Sequence, residues 1–413
     1  MIMKTLVLNC GSSSVKYQFI DIDKSYVLAK GMVSRIGMSA AVLVHKPHDR
    51  PEVTVSGEML DHIMAVEHVI AMLLSPNHGV IRDKAEINSV GHRVVHGGEK
   101  FPDSVLIDPE VMQVLRSCIE LAPLHNPHNI RGIRACSQIL PGVPQVAVFD
   151  TAFHHQIPPH AYIYGIPYVL YKRYGIRRYG FHGTSHFYVS RRAAKLMKKP
   201  IEELNIITCH LGNGASMAAV KGGVSVDTSM GFTPLEGLLM GTRSGDLDPA
   251  IILHVMAREE LSLHEANTLL NKHSGLLGIS GISGDMRDII SEVKKGNSSA
   301  QLALDTYCYR IRKYIGAYAA ALGGLDALVF TAGIGENSPL VRKKCCENLE
   351  FLGIKIDEEK NKAASNKQAK EIQSRDSKVR VFSIPTNEEL VIALDTKRII
   401  QEAEEKKRMR KGL

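Results

Sequence analysis

Four side chains stand in sequence contexts where they can do chemistry. Arg93 lies within the apolar run EINSVGHRVVH, and a buried arginine is rare unless it has an anion to bind; a partly exposed strand arginine is the plainer alternative. Arg243 lies in MGTRSGDLDP, just before a helix expected to start near Pro249, a ready anion site. Asp150 closes the apolar run QVAVF, and open α/β sheets place their chemistry at the carboxyl ends of strands. His182 is held between Phe181 and Gly183 in the loop YGFHGTSH, which is too specialised to be filler. This set suits the handling of small anions.

Two turns must position these groups. Residues 6–19, LVLNCGSSSVKYQF, read as strand, small-residue turn and strand. A Gly/Ser turn brings backbone N–H groups and hydroxyls close to whatever sits above it, and Lys16 adds a positive charge. The stretch is a phosphate cradle or an ordinary hairpin. Residues 206–220, IITCHLGNGASMAAV, repeat the plan, with Asn9 falling on His210, Gly11 on Gly212 and Ser14 on Ala215. The repetition favours the cradle and implies two related domains whose loops face one cleft. The sequence contains no Gly-Lys dipeptide, which excludes a P-loop with its helix-borne lysine.

The 413 residues suffice for two domains, and 44% hydrophobic with 23% charged residues describe an ordinary globular chain. No apolar run reaches the roughly 20 residues of a membrane span. Met1-Ile2-Met3-Lys4 is too short for a signal-peptide charged region, so a cytoplasmic location is expected. The net charge of +8 is partly an end effect of the basic stretch 406–411, read as a frayed, solvated terminus and not as a nucleic-acid contact. The seven cysteines include the adjacent Cys345 and Cys346, which do not suit a zinc site, and reduced buried thiols are expected.

Strands are expected at 27–34, 41–55, 86–96, 145–149, 326–331 and 379–384, and helices at 57–74, 109–121, 127–139, 187–197 and 300–322. Ser185 is a candidate N-cap for the helix at 187–197. Ala332 to Asn337 reads as a glycine turn before a helix opened by Pro339. Thr386 or Asn387 caps a final helix, and 358–376 reads as a surface helix and loop.

The segments NCGSSSVKYQ, GHRVVHGGE, FDTAFH, YGFHGTSH, HLGNGAS, DTSMGFTPLEGLLMGTRSGDLDP, SGDMRD, FTAGIGEN and PTNEEL occur in that order. With them the chain resembles the acetate kinase family along nearly its whole length. The resemblance implies an α/β fold of two duplicated ribonuclease H-like domains, of the actin and sugar-kinase type, with a nucleotide cleft between them. It implies an N-terminal acetate- and phosphate-binding domain, 1–151, completed by a helix at 388–405. A nucleotide-binding and dimerisation domain would span 152–387, giving a homodimer.

By the same resemblance, Asn9 and Glu388 hold or orient Mg²⁺ (Mn²⁺ as a substitute). Ser12, Ser14 and Lys16 lie on the phosphates. ATP is held by His210, Leu211, Gly212, Asn213 and Gly214, by Asp285, Met286 and Arg287, and by Gly333, Ile334, Gly335, Glu336 and Asn337. Arg93 binds the substrate carboxylate, with Val95, Leu124, Phe181 and Pro234 around its methyl group. Asp150, His182 and Arg243 complete the transfer site with Arg93. The implied reaction is reversible, direct in-line transfer of the γ-phosphoryl group to acetate, giving acetyl phosphate and ADP; neither nucleic acid nor membrane is a partner. Asp150 then orients Mg²⁺ and its waters or accepts a proton from His182, with a phosphoenzyme as the mechanistic alternative. Val95 favours acetate over propionate, so propionate kinase is the runner-up. A non-enzymatic ATP-driven scaffold has no need of Arg93 and Arg243.

Overall fold

The apolar run at the start of the chain becomes a strand buried on both faces. In the computed structural model, which describes residues 3–123, 125–364 and 367–410, Leu6 and Leu8 pack into one cluster and Val7 into another. That is the period-2 alternation of a strand with no solvent face. Contacts divide the described chain into two units, residues 1–152 with 387–413 and residues 153–386.

The first unit holds strands β1 (Lys4–Cys10), β2 (Ser14–Asp21), β3 (Tyr26–Ser34), β4 (Ala41–Pro47), β5 (Val53–Gly57), β6 (Ser89–Val94), β7 (Val105–Leu106) and β8 (Gln145–Phe149). They form one sheet in the order β5-β4-β3-β2-β1-β6-β8-β7. β1 through β5 form an antiparallel meander, whereas β1, β6 and β8 run parallel. The helices His62–Leu73 and Asn126–Ile139 cover one face through Val66, Val69, Ile70, Ala135 and Cys136. The final helix, Glu388–Arg410, covers the other through Ile392, Ala393, Ile399 and Ile400.

The second unit repeats the scheme with β9 (Asn205–Leu211), β10 (Ala215–Lys221), β11 (Val224–Thr228), β12 (Ala327–Thr331), β13 (Lys370–Glu371) and β14 (Arg380–Ser383), ordered β11-β10-β9-β12-β14-β13. The hairpin β9–β10 is antiparallel, and β12 and β14 run parallel to β9, as β6 and β8 do to β1. Helix Gly183–Met197 packs Val189 and Ala193 against Ile206, Ala218 and Val329. All seven cysteines are buried and unbridged.

Several expectations are corrected. The helix expected from residue 57 starts at His62, where Asp61 caps it by accepting from the Met64 N–H. Residues Ala332–Asn337 form a short helix and not a plain turn. Of the basic stretch, the part up to Arg410 continues the last helix, with Lys406, Lys407 and Arg408 exposed to solvent, and Lys411 lies outside the described residues.

Gly91 sets how closely the final helix approaches β6. A Cβ there would lie 2.5 Å from Thr396 Oγ1 and 2.8 Å from Ile392 Cγ2. Gly91→Val is therefore expected to push the helix off the sheet and to cost about 1–3 kcal/mol in overpacking. Urea denaturation measures this, and unchanged stability would show that the helix docks elsewhere.

Candidate active site

Parallel pairing gathers the first unit's charged groups at the carboxyl ends of β1, β6 and β8. Asn9 is paired with Lys16 across the hairpin. Arg93 lies alongside Val148, and Asp150 follows β8 with its N–H 3.0 Å from the Val94 carbonyl. Arg93 then grips Asp150 by a planar fork, Nε to Oδ1 at 2.9 Å and Nη2 to Oδ2 at 2.5 Å. Asp150 is buried and the Arg93 side chain is 21% exposed. Burial alone would lower the Arg93 pKa, but Asp150, with Glu388 and Glu389, holds it above its usual value. A bidentate fork of this kind fixes the plane of the guanidinium as well as its charge. The sequence placed Arg93 beside an anion but not beside this one.

Glu388 and Glu389 form the first turn of the last helix, where Asn387 accepts from the Leu390 N–H at 3.1 Å. Glu388, Asn9, Lys16 and Arg93 line a pocket of about 20 Å³, room for about one water or small ion. Burial raises the Glu388 carboxyl to about 7 against the opposing pull of Arg93. The turn before β2 closes through Gly11 N–H to the Ser14 carbonyl at 2.8 Å. Ser12 is exposed at its tip, and Ser14 is the half-buried first residue of β2. Val95 does not share a strand face with Arg93, because β6 ends at Val94. It is buried, and its N–H donates to Asn129 Oδ1 at 3.1 Å. Leu124 lies outside the described residues.

In the second unit His182 precedes helix Gly183–Met197 in the left-handed region, φ 57°. That conformation costs an L-residue about 1–2 kcal/mol and often marks a functional site. Its ring stacks on His210 with centroids 4.1 Å apart. His182 Nδ1 lies 2.9 Å from Ser216 Oγ, and His186 Nε2 lies 2.8 Å from the same hydroxyl. Burial holds His186 well below its usual pKa, so it is neutral. Ser185 is inside the helix, not its cap, and its hydroxyl lies 2.8 Å from His210 Nδ1. Phe181 is buried, and its carbonyl accepts from His154 Nε2 at 3.0 Å.

Arg243 is the electrostatic opposite of Arg93. Its Nη1 donates to the Pro234 carbonyl at 3.2 Å, and among the described residues it has no carboxylate partner. Burial lowers its pKa. A side-chain carbon placed at Gly214 would lie 3.5 Å from Arg243 Nη1 and 3.8 Å from His182 Nε2. Both groups therefore converge on the Gly212–Gly214 turn.

A cavity of about 810 Å³ opens beside that turn, lined by Gly212, Asn213, Asp285, Met286, Arg287, Gly333, Ile334 and Asn337. Asp285 caps helix Met286–Lys294 and pairs with the exposed Arg287 at 2.6 Å. His210, Leu211, Gly214, Gly335 and Glu336 are not among its lining residues. The Glu336 carboxylate instead accepts from the N–H groups of Ala332 at 2.8 Å and Thr386 at 3.1 Å, fastening the short helix to the end of β14. Arg342 is wholly buried beneath that helix, donating to the Gly335 and Glu336 carbonyls at 2.8 and 2.9 Å. The sequence reading missed Arg342, and also Gly284, Ile290 and Ser338, which line the cavity. Ile290 was within reach, since Met286 and Ile290 stand four apart on one helix face.

The model of the acetokinase family matches residues 4–394. The chain belongs to the acetokinase family. It is 58% identical to an acetate kinase of Desulfitobacterium hafniense over 97% of this chain and 100% of that one. Among solved structures it resembles Porphyromonas gingivalis acetate kinase, with a TM-score of 0.93 and 48% identity over 96% of this chain and 100% of the other. A propionate kinase from Francisella tularensis gives a TM-score of 0.90 and 43% identity over the same shares, 96% and 100%. The mixed α/β architecture with two large sheets is that of the family.

Removing one partner of a buried ion pair costs about 3–5 kcal/mol, because the other charge is left uncompensated. Asp150→Asn, which keeps the shape but loses the charge, is expected to fall near the lower end. The double variant Arg93→Met/Asp150→Leu should lose less than the sum of its single changes. Strictly additive losses in a chemical-denaturation cycle would show that the two do not interact.

Proposed function

We propose that the enzyme transfers the γ-phosphoryl group of ATP to acetate, reversibly and in line, giving acetyl phosphate and ADP. The observation that carries this reading is the contrast between the two arginines. Arg93 is held rigid by Asp150, with its Nη1 N–H groups left over from the fork. Arg243 is a half-buried cation without a carboxylate partner among the described residues. The first suits a small carboxylate and the second a phosphoryl oxygen.

Acetate is already ionised at neutral pH, so the reaction needs no general base. Its barrier lies in bringing anions together and aligning them, which is a task for fixed donors. Arg93 orients the acetate oxygen that attacks. Arg243 and His182 donate to the equatorial oxygens that carry the transition-state charge. Both Asp150 oxygens accept from Arg93, so Asp150 orients the guanidinium; the second lone pair on each oxygen keeps the expected roles toward Mg²⁺ and its waters or toward His182 available. A phosphoenzyme is not needed.

The first unit is the acetate- and phosphate-binding domain in this reading, and the second holds the nucleotide. Glycine backbone at 212 and 333 approaches the phosphates closely, and Met286, Ile290 and Ile334 give the 810 Å³ cavity an apolar wall for a base. Asn9 and Glu388 fit a hard divalent cation, being oxygen donors on a pocket with room for one ion. Among the described residues no group of three or more His, Cys, Asp or Glu could hold a metal, so phosphate oxygens and water would complete its shell. When bound, Mg²⁺, or Mn²⁺ in its place, offsets the charge on the phosphate oxygens.

Propionate is the second reading for the acceptor, favoured by the likeness to a propionate kinase. Buried Val95 supports acetate, although one methylene is worth only about 1–3 kcal/mol and partial propionate use is expected. A homodimer formed through the second unit is supported by exposed Ile251, Leu253 and Leu263 on its helices. A cytoplasmic location agrees with the absence, among the described residues, of any helix long and apolar enough to cross a membrane.

Arg93→Ala and Arg243→Ala should each lower kcat by about 10²-fold, or roughly 3 kcal/mol of transition-state stabilisation. Lysine at either position should rescue poorly, lacking the planar fork. Steady-state kinetics with acetate and Mg-ATP measure this, and near-wild-type kcat in either Ala variant removes that arginine from the mechanism.

A further inference from the structure

Strand β6 ends at Val94, and the backbone of Val95 and His96 continues beyond its ladder with β8. Two side chains on one helix replace the missing ladder. Asn126 and Asn129, three residues apart at the start of helix Asn126–Ile139, are both buried. Asn126 accepts from the His96 N–H at 3.2 Å and donates to the His96 carbonyl at 3.0 Å. Asn129 does something different. Its Oδ1 accepts from the Val95 N–H at 3.1 Å, and its Nδ2 donates to the Cys10 carbonyl at 2.9 Å. The orientation of this amide is fixed by its partners, since an N–H can only donate and a carbonyl only accept.

One amide thus bridges two functional segments. Cys10 is the last residue of β1, between Asn9 and the turn at Gly11–Ser13. Val95 follows Arg93 by two positions and is buried. The segments also touch the same helix elsewhere, since a Cβ at Gly132 would lie 2.3 Å from Cys10 Sγ. The helix therefore sits hard against the end of β1, and Asn129 transmits that fixed position to Val95.

We propose that Asn129 is a positioning and specificity-determining residue for the acceptor: it sets the distance between the phosphate-binding turn and the Val95 wall of the carboxylate pocket. The inference rests on the acetate-kinase reading of the site. Without the Asn129 bridge, the backbone at Val95 loses its only described partner on that side and can retreat from Cys10. The pocket then widens, and the larger acceptor gains relative to the smaller. An apolar side chain cannot substitute, because a buried N–H and a buried carbonyl would both be left unmet.

The test is the ratio of kcat/KM for acetate to that for propionate, measured on the full-length protein with Mg-ATP. This ratio is independent of the concentration of active enzyme, so a variant that is merely less stable leaves it unchanged. Asn129→Ala is expected to move the ratio toward propionate by about threefold to tenfold and to raise KM for acetate, with KM for ATP within twofold of wild type. Asn129→Ser, which keeps a small polar group, is the milder variant should Ala not fold, and is expected to shift the ratio in the same direction. A ratio unchanged within 1.5-fold in a soluble variant overturns the role of Asn129. A wild-type protein that phosphorylates neither acid fails differently and overturns the acetate-kinase reading itself.

Discussion

The fork between Arg93 and Asp150 depends on strand pairing and in turn makes the rest of the first unit's chemistry meaningful. Neither side chain is near the other in sequence; the parallel register of β6 and β8 places both at the same sheet edge. Buried charges are costly unless paired and hydrogen-bonded, and here the pairing is two-point and planar. The result is a guanidinium of fixed orientation beside Asn9, Lys16 and Glu388. A freely rotating lysine would give the same charge without that preorganisation.

The second unit uses the same strand plan to a different electrostatic end. At the place where β1 carries Asn9, β9 carries His210, and the turn that follows holds Asn213 and Gly214 where the first holds Ser12 and Ser13. The neighbouring cation, Arg243, has among the described residues no internal counter-ion of the kind Arg93 has. Its half-buried charge suits the anion proposed for this site, and a left-handed His182 leans on the same turn. Strain and an unpaired charge are both features that packing would otherwise select against. Gly241 shows how tight the arrangement is: a Cβ there would meet Asn213 Oδ1 at 2.1 Å.

What was legible in the sequence was local. The run Leu6-Val7-Leu8, the repeated strand–turn–strand and the Pro339 helix start follow from periodicity and turn chemistry, and each stands where it was expected. The family motifs supplied the duplicated fold and the reaction. What was not legible required distant parts of the chain to meet. No spacing rule joins Arg93 to Asp150 or Asn129 to Cys10. A serine before an apolar helix is usually a cap, whereas here tertiary contact with His210 takes the Ser185 hydroxyl. Val95 was placed on the strand because hydrophobic alternation continues past the point where pairing stops.

In this enzyme acetate is the acceptor of the γ-phosphoryl group, and ATP turnover requires it. ³¹P NMR of the purified protein with Mg-ATP and acetate tests it most directly. An acetyl phosphate resonance is expected to grow in step with ADP and to vanish when acetate is left out. ADP and inorganic phosphate appearing at the same rate with or without acetate, and no acetyl phosphate, would contradict it.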